Sequence, residues 1–130
     1  MSKTKTAPPS FEALKETVHK IGKDVIAANA ESVDKDARFP HESFDALRKS
    51  GLLSAYIPQE YGGFGISISQ ICELCEVMGH YCASTAMIFA MHQIQVACIV
   101  NHAQGDKYFD GYLREIVDKQ LLIASATTEL

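Results

Sequence analysis

Residues 83–103 read ASTAMIFAMHQIQVACIVNHA, a stretch without glycine, proline or any formally charged side chain other than histidine. As an α-helix it would be about 30 Å long, which is long enough to cross a membrane. His92, Gln93 and Gln95 interrupt it and leave only short apolar runs, so the pattern favours a core helix over a membrane span. Its apolar residues occur all the way round, which predicts the central helix of a helical bundle.

The ends and one side of this central helix are also predicted from residue type. Ser84 or Thr85 is expected to cap its start, and Gly105 is expected to mark its end. The alanines at positions 86, 90 and 97 lie on one side and predict a shallow slot, which another helix or a ligand could fill.

Composition limits the class of protein. With 130 residues, 47% of them hydrophobic and 22% charged, the chain is long enough for one domain with a core and too short for two. A net charge of −4 without a basic cluster argues against a nucleic-acid partner. The first ten residues carry lysines but no following apolar segment, so we expect no secretory signal and a cytoplasmic protein.

Four cysteines, at positions 72, 75, 82 and 98, fall in segments that the pattern predicts to be helical. A disulfide framework would need loop-rich chain between them, so reduced thiols are expected. Cys72-x-x-Cys75 with His80 and Cys82 also suggests a zinc site, since two thiolates at this spacing can share a helix face. A closed site would bring a second ligand pair on a turn, however, so small core residues are the preferred interpretation.

The segments before the central helix are predicted to be helices joined by short connections. Residues 1–9 are expected to form a flexible N-terminus, and Ser10 to cap a long helix with one apolar stripe. Residues 31–38 are charged and aperiodic, which predicts a linker, and a short helix over 41–50 is expected to end at Gly51 in a left-handed conformation. The apolar stripe of the first helix comprises Phe11, Leu14, Val18, Ile21, Val25 and Ile26.

Residues 56–65, YIPQEYGGFG, form an irregular connector in which three glycines permit unusual backbone angles. A phosphate-binding loop is rejected because the Walker lysine and the preceding strand are both missing. Ser67 or Ser69 is expected to cap the next helix, and Asp106 a final helix over 107–117.

The last ten residues change character, and 121–128 (LLIASATT) predict a β-strand. A lone strand needs a partner for its N–H and C=O groups, so the chain is expected to reach the start of a β-domain. Both faces of the strand begin apolar and turn polar. The polar end is consistent either with the general β-propensity of threonine or with the edge of a ligand site.

His92 and Gln93 lie midway along the apolar helix, where an unpaired polar group would cost about 1–3 kcal/mol. Partners are therefore expected for both. They either bond to neighbouring elements or buried water, or they form part of the wall of a cavity.

Several motifs carry a family resemblance. They are Arg38-Phe39-Pro40, Gly51-Leu52, residues 57–65 (IPQEYGGFG), Tyr112-Leu113 and residues 126–129 (ATTE). In this order and spacing they resemble the N-terminal part of the acyl-CoA dehydrogenase family over residues 10–129. The resemblance implies an all-α bundle of five to six helices, in orthogonal or up-down arrangement, over residues 10–120. Residues 121–130 would then hold the first strand of a truncated middle β-domain.

The resemblance also implies a function. Family enzymes bind FAD between the middle and C-terminal domains, remove the α-proton of an acyl-CoA with a glutamate, and pass the β-hydride to the flavin. Electron-transfer flavoprotein as acceptor and a homo-oligomeric assembly are implied too. By position, Met91, His92 and Gln93 would border the acyl cavity, whereas Ser125, Thr127 and Thr128 would contact the flavin.

No carboxylate of this chain matches the family's catalytic base, so no catalytic residue is assigned and Glu129 is not given that role. The chain alone is expected to be inactive. Leu130 stands where the family usually continues the Thr-Glu pair with proline. Two alternatives therefore stay open: a flavin-dependent monooxygenase on the same scaffold, and a non-enzymatic helical interaction module.

Overall fold

The computed structural model describes residues 8–103 and 105–126, and its regular structure within them is helical. The prediction of an all-α fold is therefore confirmed. The helices are α1 (Phe11–Ile21), α2 (Ala27–Lys35), α3 (His41–Lys49), α4 (Ile68–Gly79), α5 (Ala83–His102) and α6 (Lys107–Lys119). A π-helical turn spans Gly22–Ile26, and 3₁₀ turns span Leu52–Ser54 and Gln59–Tyr61.

The first helical segment is longer than the sequence predicts. Ser10 caps α1 as expected, its Oγ accepting from the N–H of Ala13 at 3.3 Å. The π-helical turn then joins α1 to α2, so the chain stays helical over residues 11–35. The predicted linker over 31–38 is wrong for its first five residues, because Val33 is buried and gives this charged segment an inward face.

Two close contacts fix the path of this helix. A Cβ on Gly22 would lie 2.2 Å from Cε2 of Tyr81, so only a residue without a side chain allows the ring to approach. After α2, the guanidinium of Arg38 donates to Oδ1 of Asn29, to Oγ of Ser32 and to the carboxylate of Glu42. Arg38 thereby joins the end of α2 to the start of α3.

The connector between α3 and α4 folds back on itself through backbone hydrogen bonds. Gly51 ends the α3 region with φ of 73°, which confirms the left-handed conformation expected there. Further along, the carbonyl oxygen of Ile57 accepts from the N–H of Gly65 at 2.9 Å. Gly63 is buried beneath this carbonyl group.

The start of α4 confirms the sequence prediction, and the start of α5 corrects it. Ser67 and Gln70 form a reciprocal capping box at α4. Helix α5 begins at Ala83 after Cys82, so neither Ser84 nor Thr85 is its cap.

The end of α5 and the start of α6 lie close to their predicted positions. Helix α5 ends at His102, near the predicted Gly105. Asp106 caps α6 as predicted, its Oδ1 accepting from the N–H of Tyr108 at 2.8 Å.

The buried apolar residues form two clusters, and α5 contributes to both. The larger cluster lies between α1, α3, α4 and the first half of α5. The smaller cluster lies where the second half of α5 meets α6 and Ile57. Part of the predicted alanine slot is filled by α4, since a Cβ on Gly79 would lie 3.9 Å from that of Ala86.

All four cysteines are free thiols, as the sequence predicts. Their assignment as core residues holds for Cys82, which is buried, and is wrong for Cys72 and Cys98, which are exposed. Cys75 is half-buried, and burial raises the pKa of its thiol to about 11. Within residues 8–103 and 105–126, no three His, Cys, Asp or Glu side chains are grouped as a metal site would need.

The predicted C-terminal strand is not shown. Residues 121–126 have no regular secondary structure, and residues 127–128 lie outside the described part of the chain. A strand is defined by backbone hydrogen bonds to a neighbouring strand. In this segment the N–H of Ile123 instead donates to the side chain of His92.

Candidate functional site

Helix α5 has a buried face and an exposed apolar face. The buried face carries Phe89, His92, Gln93, Val96 and Val100. The opposite side, which we call the outer face, consists of Met87, Met91, Ile94 and Cys98 at intervals of four, three and four residues. Three of these side chains are large and apolar, with 62%, 45% and 48% of their surfaces exposed.

The outer face explains why the helix is apolar all round. Helix α4 and the core cover only part of the circumference of α5, and the described residues leave the outer face uncovered as a continuous apolar stripe. A shallow depression of about 420 Å³ at the N-terminal end of this stripe is lined by Ala83, Ser84, Met87 and Ile88. A stripe of this kind is typical of a surface that contacts another domain or a ligand.

His92 is fully buried, and both of its ring nitrogens are hydrogen-bonded. Nε2 lies 2.7 Å from the carbonyl oxygen of Leu53, and Nδ1 lies 3.0 Å from the backbone nitrogen of Ile123. A carbonyl group only accepts and a backbone N–H only donates. The imidazole must therefore be neutral, with its proton on Nε2 and with the lone pair of Nδ1 accepting from Ile123.

Burial lowers the pKa of His92 from its ordinary value of 6.5, and the hydrogen bond to the carbonyl oxygen of Leu53 only partly opposes this effect. No charged side chain among the described residues contributes to the shift. The neutral form that the hydrogen bonds require is therefore also the form that the surroundings favour.

Gln93 bonds to the same buried turn. Its Nε2 donates to the carbonyl oxygen of Leu52 at 3.1 Å and lies 3.5 Å from that of Leu53. Its Oε1 is buried and has no hydrogen-bond partner among the described residues. Gln93 thus combines a structural bond with one buried acceptor that a ligand or a water molecule could satisfy.

Gln120 holds the turn from the other side. Just beyond α6 it adopts a left-handed conformation with φ of 48°. Its Oε1 accepts from the N–H of Leu53 at 3.2 Å, and its Nε2 donates to Oγ of Ser54 at 3.0 Å. Leu53 is therefore held at both backbone groups, by Gln120 at N–H and by His92 at C=O. We call Leu52–Ser54, His92, Gln93, Gln120 and Ile123 the polar junction.

The structure brings some of the predicted site residues together and separates others. Met91 lies on the outer face, while His92 and Gln93 lie behind it in the polar junction. Ser125 is exposed and follows the junction by two residues. Thr127 and Thr128 lie outside the described residues, so their assignment to the flavin stays a prediction.

Sequence reasoning missed two parts of this site. Gln120 is one of them, although a glutamine directly after a helix is a residue that can bond back to the core. The exposed side of α5 with Met87 and Ile94 is the other part, since the sequence predicts a buried central helix without identifying an uncovered face. The signal that could have found them is the all-round apolar pattern itself, because only part of it is needed to pack against the rest of the domain.

Helix α5 is long and apolar enough to pass a composition test for a membrane span, and it is the one helix of the described residues that does. Its buried polar residues bond to the turn at Leu52 and Leu53. These bonds, together with its packing against α4, are those of a core helix.

The order of the helices, the glycine connector and the central helix together define a single helical domain. The family described as "Acyl-CoA dehydrogenase, N-terminal domain" matches residues 8–119. The chain belongs to the acyl-CoA dehydrogenase family, of which it carries this domain.

Similar curated proteins include two dehydrogenases. A probable acyl-CoA dehydrogenase of Mycobacterium leprae, fadE25, is 33% identical over 87 residues, which are 67% of this chain and 22% of the relative. The cyclohex-1-ene-1-carbonyl-CoA dehydrogenase of Syntrophus aciditrophicus is 34% identical over 118 residues, which are 89% of this chain and 28% of the relative. The chain thus spans less than a third of the length of these relatives.

A third relative has a different activity in its name. The oxygenase component of p-hydroxyphenylacetate 3-hydroxylase from Acinetobacter baumannii is 32% identical over 84 residues, which are 62% of this chain and 20% of the relative. The N-terminal domain is therefore shared by dehydrogenases and by at least one hydroxylase.

Proposed function

We propose that this chain is the N-terminal domain of an FAD-dependent acyl-CoA dehydrogenase-like oxidoreductase. The observation that carries the proposal is the family match over residues 8–119, together with relatives named as acyl-CoA dehydrogenases. Bound FAD would accept the hydride from the β-carbon of the acyl thioester. No carboxylate of this chain is assigned as the base that removes the α-proton.

The outer face is our proposed contribution to the acyl cavity. A fatty acyl chain packs against apolar side chains, and flexible, polarisable methionines suit it well. Met87, Met91 and Ile94 supply such side chains on one helix. His92 and Gln93 form the layer behind this wall. In this proposal they hold α5 in place from inside the domain through their bonds to Leu52 and Leu53.

The substrate part of the proposal is tested by changing the wall in the full-length protein. Met91→Phe should narrow the cavity and shift the preferred acyl-CoA towards shorter chains, measured as kcat/KM over a series of chain lengths. Tyr108→Ala is the matched control, since Tyr108 is an exposed apolar residue on α6. An unchanged chain-length profile for Met91→Phe would refute the proposal that the outer face lines the acyl cavity.

The flavin part of the proposal concerns the segment after the polar junction. Residues 124–126 are exposed, and their N–H groups have no acceptor among the described residues. A hydroxyl-bearing segment with free backbone donors fits the polar edge of a flavin. We propose Ser125, Thr127 and Thr128 as the contacts. Thr128→Val removes a hydroxyl while nearly keeping the shape and should weaken FAD binding in the full-length protein; wild-type affinity and spectrum would refute this contact.

A flavin-dependent monooxygenase is the second candidate, and the hydroxylase relative is the observation that favours it. The two activities need different reactants. A dehydrogenase is reduced by an acyl-CoA without oxygen, whereas a monooxygenase consumes reduced flavin and oxygen. Electron-transfer flavoprotein as acceptor and a homo-oligomeric assembly accompany the first candidate and rest on family membership alone.

A further inference from the structure

We propose that His92 and Gln120 are positioning residues that dock the C-terminal segment 121–126 onto the helical domain and so set the place of the residues proposed to contact the flavin. The effect on flavin binding rests on the proposed function. The docking itself rests on the hydrogen bonds of the polar junction and on the packing of the segment.

The segment has few other attachments. Among the described residues, its backbone N–H groups make two hydrogen bonds, from Leu121 to the carbonyl oxygen of Ile116 at 3.3 Å and from Ile123 to Nδ1 of His92 at 3.0 Å. The first bond belongs to the end of α6. Within the described part of the chain, the second is therefore the one hydrogen bond that fixes the segment beyond the end of α6.

Apolar contacts set the direction of the segment but not its register. Leu121 and Ile123 pack against the cluster that contains Val96, and Leu122 packs against the larger cluster. All three side chains remain partly exposed. Partly buried leucine and isoleucine side chains tolerate small shifts, whereas a backbone N–H bonded to one ring nitrogen defines a single position.

Gln120 and His92 act on the segment through the same turn. Gln120 accepts from the N–H of Leu53 and His92 bonds to its C=O, so Gln120 directly and Ile123 through His92 are both held to the same buried residue. The left-handed conformation of Gln120 ends α6 and turns the chain towards His92. Ser125 follows Ile123 by two residues, so a change at this tie would move it.

The tautomer of His92 makes the tie sensitive to protonation. A second ring proton would sit on Nδ1 and face the N–H of Ile123, placing two donors against each other. The groups that His92 contacts by hydrogen bonding are uncharged backbone groups of Leu53 and Ile123. No carboxylate among the described residues is in place to stabilise the protonated ring.

The direction of the pH effect follows from the lowered pKa of His92. The docked imidazole resists protonation, because a proton on Nδ1 would break the bond from Ile123, whereas this obstacle is absent once the segment leaves. Docking is therefore strongest while His92 is neutral and weakens as the pH falls.

Two substitutions of His92 separate the two bonds. In His92→Asn the carboxamide oxygen can take the place of Nδ1 and accept from Ile123, while the bond to Leu53 is lost. In His92→Gln the longer amide can take the place of Nε2 and donate to Leu53, while the bond to Ile123 is lost. Each variant removes one buried bond, so a purely structural role of His92 predicts similar behaviour for both.

The first experiment measures docking by amide hydrogen exchange of residues 121–126 in the full-length protein. We expect protection of Ile123 in the wild type and in His92→Asn, and its loss in His92→Gln. Ser67→Ala, which removes the capping box of α4 away from the junction, is the control and should leave the protection unchanged. Equal protection in the wild type and His92→Gln would overturn the docking.

The second experiment measures the FAD dissociation constant of the same proteins. We expect about a five- to tenfold weaker affinity in His92→Gln, the size expected for one lost hydrogen bond, and a smaller change in His92→Asn. As the pH is lowered, the wild-type affinity should fall more steeply than that of His92→Asn, which has no titrating side chain at this position. Lost protection with unchanged FAD affinity would overturn the positioning role.

These outcomes separate the inference from the proposed function. If the full-length wild type binds no FAD, the proposed function and the positioning role fall together, and the exchange experiment still decides whether the segment is docked. If it binds FAD and His92→Gln binds it equally well, the proposed function stands and the positioning role is refuted.

Discussion

Replacing Gly63 with alanine should destabilise the chain strongly, although Gly63 does not have a positive φ. The reason is space: a Cβ at this position would lie 2.0 Å from the carbonyl oxygen of Ile57 and 2.6 Å from its Cβ. The carbonyl belongs to the backbone, so a rotamer change cannot relieve the contact. The connector would have to open by an ångström or more.

The cost follows from what that opening breaks. The carbonyl group of Ile57 accepts from the N–H of Gly65 at 2.9 Å, and the loss of this bond would cost about 1 kcal/mol. The side chain of Ile57 is fully buried against Val96 and Ile116, and displacing it would add about 1–3 kcal/mol. We expect a total loss of about 2–4 kcal/mol in the free energy of unfolding.

Urea and thermal unfolding of the chain, followed by circular dichroism, measure this effect. For a domain of this size the expected loss lowers Tm by about 8–16 °C. Gly111→Ala is the matched control, because a Cβ there meets no atom within 4 Å and the residue lies inside α6. That substitution should raise the stability by about 0.5–1 kcal/mol. A Gly63→Ala variant within about 0.5 kcal/mol of the wild type would refute the steric argument.

Two further predictions concern the caps and the thiols. Ser67→Ala removes the capping box of α4 and should lower the free energy of unfolding by about 1 kcal/mol, measured by urea unfolding; no change would mean that water replaces the cap fully. At pH 8 a thiol reagent should modify Cys72 and Cys98 first and Cys75 slowly, because burial raises the pKa of Cys75 to about 11. Peptide mass spectrometry gives the order, and early modification of Cys75 would contradict its burial.

Helix positions were predictable where a local signal exists. Ser10, Ser67 and Asp106 each cap a helix as their residue type predicts. Gly51 adopts the left-handed conformation expected after α3. These features depend on a few adjacent residues, so a single sequence is enough to find them.

The predictions that are wrong concern features that depend on contacts between residues far apart in sequence. The charged segment 31–35 remains helical because Val33 packs into the core and because the π-helical turn continues the preceding helix. Cys82 serves as the N-terminal boundary of α5 without a side-chain cap, so no signal marks it. The residues 121–126 have strand-like composition, but the described residues supply no strand to pair with them.

The candidate site was only partly predictable for the same reason. The position of His92 in an apolar helix indicated that it needs partners, and it has them. Its actual partners, Leu53 and Ile123, lie 39 and 31 residues away in sequence. No pattern within one helix identifies such partners, and only the fold brings them together.

Anaerobic mixing of the oxidised full-length protein with acyl-CoA thioesters tests the central claim most directly. The account predicts that the protein carries FAD and that an acyl-CoA bleaches its visible absorbance, with formation of the α,β-unsaturated thioester. Absence of bleaching by acyl-CoAs of every chain length, together with oxygen-dependent hydroxylation of a phenolic compound by the reduced enzyme, would contradict it and establish the monooxygenase instead.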